Sequence, residues 1–201
     1  LDKGQKTALL ISEMQTGIVD VEHSDSGVAQ QINARDVLRK LAAFAEVCRA
    51  HDVPVIHCTI VPMKDFKGFP VNSALAAMLK KGGVIHAGNP LSGIHPLLKP
   101  HEDDIVCERC HGMSAFHGTE LESILRGLGV ETVLLAGVST NIALPGIATE
   151  ATNRGFEAVL VEDCTAGGTA ESHQSQITLH LPLLTTISSA ANVKAALDSR
   201  A

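Results

Sequence analysis

Short β-branched apolar runs alternate along the chain with longer stretches of helical period. That is the pattern of a parallel sheet covered by helices on both faces. Thr7 to Ser12 reads as a first strand. From Asn33 to Ala50, apolar residues fall at Val37, Leu38, Leu41, Phe44, Ala45 and Cys48, a spacing that predicts a helix. Val53 to Ile60 predicts a second strand, with Pro54 near its start, where a missing amide proton does least harm. Residues 61–102 are irregular and rich in Gly and Pro, with a short helix expected over Ser73 to Lys80. An excursion of that length is commonly a binding loop or lid. Asp104 to Glu108 predicts a third strand, followed by a helix capped by Thr119, running to Leu128 and closed by Gly129. A fourth strand, Thr132 to Val138, leads into a helix from about Asn141 to Arg154. A strand at Ala158 to Val161, a helix near Ala170 to His180, a strand at Thr185 to Ser188 and a terminal helix complete the series.

Six strands with helical crossovers predict one domain over residues 1–201. Its expected fold is a three-layer, doubly wound α/β architecture with a mostly parallel six-stranded sheet. In such sheets ligands bind outside the carboxyl ends of the strands. The residues selected by that rule are Glu13 and Gln15, His57 to Thr59, Arg109 to Ser114, Ser139 to Ala143, and Asp163 to Thr165.

Composition narrows the classes. An apolar share of 45% belongs to a packed globular protein rather than a disordered one. A net charge of -6 with dispersed basic residues, and no Trp or Tyr, argues against nucleic acid. No run approaches the roughly 20 apolar residues that span a bilayer, so no membrane partner is expected. The first apolar run reads as a buried strand rather than a signal peptide. Five scattered cysteines look like reduced thiols of a cytoplasmic protein.

Several motifs are set aside. Cys107-Glu108-Arg109-Cys110-His111 matches the haem-attachment spacing, but it lies at a strand exit and has no second ligand pair for zinc. Gly167-Gly168 completes neither a dinucleotide fingerprint nor a phosphate loop, and no nucleophile elbow is present. No cofactor is expected.

Three places carry candidate chemistry. Glu13 follows the first strand at once, so its carboxylate sits partly desolvated at the mouth of the sheet, a setting suited to a general acid or base. The plainer alternative is a surface glutamate, or one paired with Arg109. Arg109 and His111 leave the third strand nearby, and either is placed to pair with Glu13. An arginine can also hold a substrate carboxylate, and a histidine can carry protons near neutrality. The alternatives are a surface cation and an imidazole satisfied by backbone. Finally, Gly137-Val138-Ser139-Thr140-Asn141 brings small residues and free amides to a helix N-terminus, an anion or oxyanion site. Ser139 or Thr140 would also serve there as an ordinary N-cap.

Three segments together resemble the isochorismatase-like (cysteine hydrolase) family. Ala8 to Gln15 is similar to its opening strand ending in Asp-Met-Gln, and Ser114 to Leu121 to its S-A-F-x-G-T-x-L stretch. Gly137 to Asn141, Ala148 to Gly155 and Val161 to Thr165 resemble its closing turn, helix and strand. The resemblance implies a hydrolase of small molecules, assembled as a homodimer or homotetramer. It places Glu13 at the family's aspartate, Cys110 at its lysine with Arg109 and His111 on either side, and Ala143 at its nucleophilic cysteine. Gln15, Val138, Ser139, Thr140 and Asn141 fall at substrate or oxyanion positions. An alanine methyl cannot attack a carbonyl, so covalent amidase chemistry is closed to the chain as written. True isochorismatases also lack the cysteine and protonate a vinyl ether from the first-strand acid, which gives Glu13 a role. The alternatives are a non-catalytic small-molecule-binding homologue, or a cysteine amidase whose nucleophile has been replaced by Ala143. The stretch from His57 to Asp65 lacks the D-x-H loop of the family's metal-dependent members, so no catalytic metal is expected. By the same resemblance the Val138–Ser139 peptide bond is expected to be cis.

Overall fold

The computed structural model describes residues 4–200. The apolar runs become strands Thr7–Ser12 (β1), Val55–Ile60 (β2), Ile105–Arg109 (β3), Thr132–Val138 (β4), Glu157–Ala166 (β5) and Thr186–Ser188 (β6). Every position of β1, β2 and β4 is buried, as in strands covered on both faces. The six strands pair in the order β3-β2-β1-β4-β5-β6, all parallel, where a mostly parallel sheet was expected. The order reverses between β1 and β4, so the carboxyl ends of those two strands form the topological switch point.

Helices Thr16–Val19 (α1), Gly27–Ala34 (α2), Val37–Ala50 (α3), Ala74–Gly82 (α4), Leu121–Gly127 (α5), Ala143–Asn153 (α6), Ala170–Ser175 (α7) and Ala190–Asp198 (α8) complete the layers. Side-chain alternation along β1 divides the core. Leu9 and Ile11 pack with Leu41, Phe44, Val193 and Leu197 from α3 and α8. Ala8 and Leu10 pack on the other face with Leu121, Leu125, Leu144 and Ile147 from α5 and α6.

The differences from expectation have local causes. The helix expected from Asn33 is two helices: Ser26 caps α2 by accepting from Ala29 N at 3.2 Å, and Asp36, at φ +52°, turns the chain before α3. α1 is a single turn, too short to show a period. β5 runs past Val161 to Ala166, and its register against β4 shifts between Leu135 and Gly137, a bulge that the polar Glu162 and Asp163 disguise. Thr119 lies one residue before the N-cap position of α5, which is Glu120, but its hydroxyl still accepts from Leu121 N, the first amide of the helix, at 3.3 Å. The helix expected to reach His180 ends at Ser175 and continues as a π-helical turn, Gln176–His180.

The 61–102 excursion folds back over the end of β1. His95 N donates to Met14 O at 2.9 Å, Thr16 N to Gly93 O at 2.9 Å, and Gln15 bridges Ile94. Among the described residues, no helix is long and apolar enough to cross a membrane.

Candidate functional site

β1 ends at Ser12, and Glu13 turns out of the sheet with φ +52°, its amide donating to Cys58 O at 2.9 Å. A non-glycine residue in that region is uncommon and costs of order 1 kcal/mol, so its neighbours must hold it there. Arg109, the last residue of β3, does so. Its Nη2 meets Glu13 Oε1, Nη1 reaches Thr59 O at 3.5 Å, and Nε donates to Gly112 O at 3.2 Å. The Arg109 side chain is 2% exposed and each of its three nitrogens has an acceptor, so it is a clamp on Glu13 rather than a fork awaiting a substrate carboxylate. Glu13 remains 18% exposed, and among the described residues its Oε2 has no hydrogen-bond partner.

The other neighbours expected at Glu13 are elsewhere. Cys110, at the position assigned to the family's lysine, is exposed, and the cation that meets the carboxylate is Arg109, one residue earlier. Of the two partners left open for Glu13, Arg109 is the one that meets it; His111 is exposed and its ring lies 4.9 Å from that of His117. Gln15, expected at the substrate, is fully buried and braced. Its amide nitrogen donates to Ile60 O at 2.9 Å and Ser92 O at 2.7 Å, and its oxygen accepts from Ile60 N at 2.8 Å. It ties the folded-back excursion to the end of β2.

The second half of the site leaves β4. Gly137, at φ +92°, stands beside Ser12 in the register, where a Cβ would lie 2.3 Å from Ser12 O. Only glycine lets the two central strands approach this closely. The Val138–Ser139 peptide is cis. Thr140 is fully buried and Ala143 is 2% exposed, so the turn lies under cover. The N-cap expected of Ser139 or Thr140 is not made by a side chain: α6 begins after Ile142, and Thr140 Oγ1 instead meets His173 Nδ1 at 3.0 Å. Leu144 N and Ile142 N donate to Ser139 O at 3.0 and 3.2 Å. Among the described residues, the amides of Asn141 and Ala143 meet no acceptor. Asn141 itself is held through its side-chain oxygen, which accepts from Gly168 N at 2.9 Å.

Sequence reasoning missed the groups behind this turn. His173 Nε2 lies 2.9 Å from Glu162 Oε1, which Arg35 Nη2 also reaches at 2.5 Å. Burial holds the His173 imidazole below its ordinary range despite Glu162. Burial pushes the Glu162 carboxyl up, but hydrogen bonds from His173 and Arg35 outweigh it and leave the group below its ordinary value. Glu162 carried a signal, a charge directly after the apolar run Val159-Leu160-Val161. His57, selected as a strand-exit residue, lies inside β2 with Nε2 3.3 Å from Asp104 Oδ2, which Arg49 grips at 2.6 Å. Burial lowers its pKa as well. Asp163 accepts from Ala190 N at 2.8 Å and so anchors the start of α8.

These shifts share one sign. His57 and His173 bind protons more readily in the unfolded chain, and so do Asp104 and Glu162. Stability therefore rises with pH through the unfolded histidine range and falls on acidification. The melting temperature should drop between about pH 7 and about pH 5, and further as the carboxylates protonate. A melting temperature constant over that range, by calorimetry, would remove the buried-histidine account.

For metal, Asp20, Glu22 and His23 place ligand atoms within 4.8 Å of one another after α1, two of the three residues being exposed. The turn's own bonds account for this group, since Asp20 Oδ1 accepts from Glu22 N at 2.9 Å and Oδ2 lies 3.7 Å from His95 Nε2. A cavity of about 600 Å³ opens at the amino ends of the strands, lined by Lys6, His51 and Arg200, away from this chemistry. Smaller cavities of about 390 and 350 Å³ flank His117, beside the loop whose Gly112 holds Arg109.

Residues 7–192 match the Isochorismatase domain family. The chain belongs to the isochorismatase family. It is 37% identical over 199 residues to the uncharacterized isochorismatase family protein YecD of Escherichia coli O157:H7, covering 95% of this chain and 96% of that one. It is 31% identical over 90 residues to maleamate amidohydrolase of Pseudomonas putida, covering 45% of this chain and 42% of that enzyme. The fold superposes on the isochorismatase family protein from Desulfovibrio vulgaris with a TM-score of 0.83 at 25% identity, covering 97% of this chain and all of that one. The family to which the chain belongs is one of hydrolases acting on small molecules. Its architecture sets Glu13 and the turn of Asn141 and Ala143 directly after the two adjacent central strands β1 and β4.

Proposed function

We propose that this chain hydrolyses a small molecule without a protein nucleophile, with Glu13 as the general acid and base. One observation carries the reading: Arg109 fixes one oxygen of Glu13 while, among the described residues, the other has no partner, at the switch point between β1 and β4. The amides of Asn141 and Ala143, which among the described residues also lack acceptors, form the cradle for a developing negative charge or an anionic substituent. With a vinyl ether, Glu13 gives its proton to the terminal carbon and water adds to the resulting oxocarbenium carbon. The hemiketal then collapses to a ketone and an alcohol, and Glu13 recovers a proton from the water. No covalent bond to the protein is needed. Purified protein incubated with isochorismate and with a panel of small amides should release product from the vinyl ether.

The methyl at position 143 supports a second reading, a homologue that binds such a molecule without turning it over. Tight binding with no product over a long incubation would favour it. If the chain is instead a C–N hydrolase with its nucleophile replaced, Ala143→Cys should gain amide hydrolysis. On the reading preferred here that variant gains none.

A further inference from the structure

Behind the turn of Asn141 and Ala143 runs a chain of polar side chains that the proposed reaction does not use. Arg35, at the end of α2, donates to Glu162 Oε1 on β5 and to Thr165 O at 3.1 Å. Glu162 Oε1 faces His173 Nε2, and His173 Nδ1 faces Thr140 Oγ1. His173 is 2% exposed and Thr140 is fully buried, so water does not substitute for these partners. A carboxylate that already receives a guanidinium proton is an acceptor, which puts the imidazole proton on Nε2. Nδ1 is then an acceptor, and the Thr140 hydroxyl must donate to it. Thr140 is held a second time through its amide, which donates to Ala166 O at 2.9 Å. The space is tailored to this arrangement, because a Cβ on Gly167 would stand 2.8 Å from Thr140 Oγ1.

We propose that His173 and Glu162 are positioning residues that hold Thr140, and through it aim the amides of Asn141 and Ala143 into the site. This rests on the proposed reading of those amides as the cradle. Neither residue touches substrate; both act on the direction of donors that do. Displacing such donors by a fraction of an ångström weakens the transition state more than the bound ground state, so the effect belongs in kcat rather than KM.

The test compares Thr140→Val, which removes the hydroxyl, with Thr140→Ser, which keeps it, and His173→Gln with His173→Asn. Asparagine places its amide near the position of Nδ1, whereas glutamine reaches only toward Nε2. On the substrate that the wild-type protein turns over, Thr140→Val and His173→Gln should lower kcat by about 10- to 100-fold while KM changes by less than about threefold. Thr140→Ser and His173→Asn should recover most of that loss. Equal kcat in Thr140→Val and wild type overturns the proposal, as does a loss that Thr140→Ser does not recover. Should the wild-type protein turn over neither vinyl ether nor amide, the hydrolase reading falls by itself. The positioning claim is then decided by hydrogen exchange over residues 137–147. Faster exchange in Thr140→Val than in Thr140→Ser supports it, and identical exchange overturns it.

Discussion

Gly137→Ala should lose about 4 kcal/mol or more of stability, enough to leave little folded protein. The added Cβ would lie 2.3 Å from Ser12 O, 2.9 Å from Ser12 N and 3.1 Å from Ser12 C. All three are backbone atoms of the neighbouring central strand, so no side chain can swing aside. The residue is also at φ +92°, where an alanine is strained whatever the space. Relief would require β1 and β4 to separate at the switch point, where Glu13 and the turn leave the two strands. Gly155→Ala is the control. It has φ +76° but nothing within 4 Å of an added Cβ, so it should cost only about 1 kcal/mol. Urea unfolding of the two variants measures the difference. A Gly137→Ala protein as stable as Gly155→Ala would mean the strands are not this close.

Arg109→Met should be the next most damaging change, at about 3 kcal/mol. The methionine fills much of the space but removes every polar contact the guanidinium makes. Glu13 would be left with an unpaired, mostly covered carboxylate, and the carbonyls of Thr59 and Gly112 would lose their donor. Leaving a covered charge without its partner is costlier than removing the pair together. The double variant Glu13→Leu with Arg109→Met should therefore be more stable than Arg109→Met alone. A double-mutant cycle in urea decides this, and simple additivity of the two changes would contradict the clamp.

The centre of the sheet was legible because β1, β2 and β4 are buried on both faces, so their apolar runs are nearly continuous. The break at Asp36 was not, since the helical period carries across it and only the backbone turn at that residue divides α2 from α3. At the site, Glu13 and the Gly137 turn could be found from their places after strands. The partner of Glu13 was left open between Arg109 and His111, and the family resemblance put Cys110 at the lysine position. The two-residue alternation of β3 held the answer: Cys107 and Arg109 face inward, whereas Glu108 and Cys110 face out. His173 and Arg35 carried no such signal, because they meet Glu162 only through the packing of α7 and α2 against β5.

The most direct measurement is kcat/KM for wild-type and Glu13→Gln protein on the same vinyl ether, at matched folded fraction. Glutamine retains an oxygen for Arg109 and nearly the same shape, but it neither gives nor takes a proton at that pH. Loss of a general acid and base predicts a fall of about 10²- to 10⁴-fold. Hydrolysis by Glu13→Gln within about threefold of wild type, far short of that loss, would contradict the account.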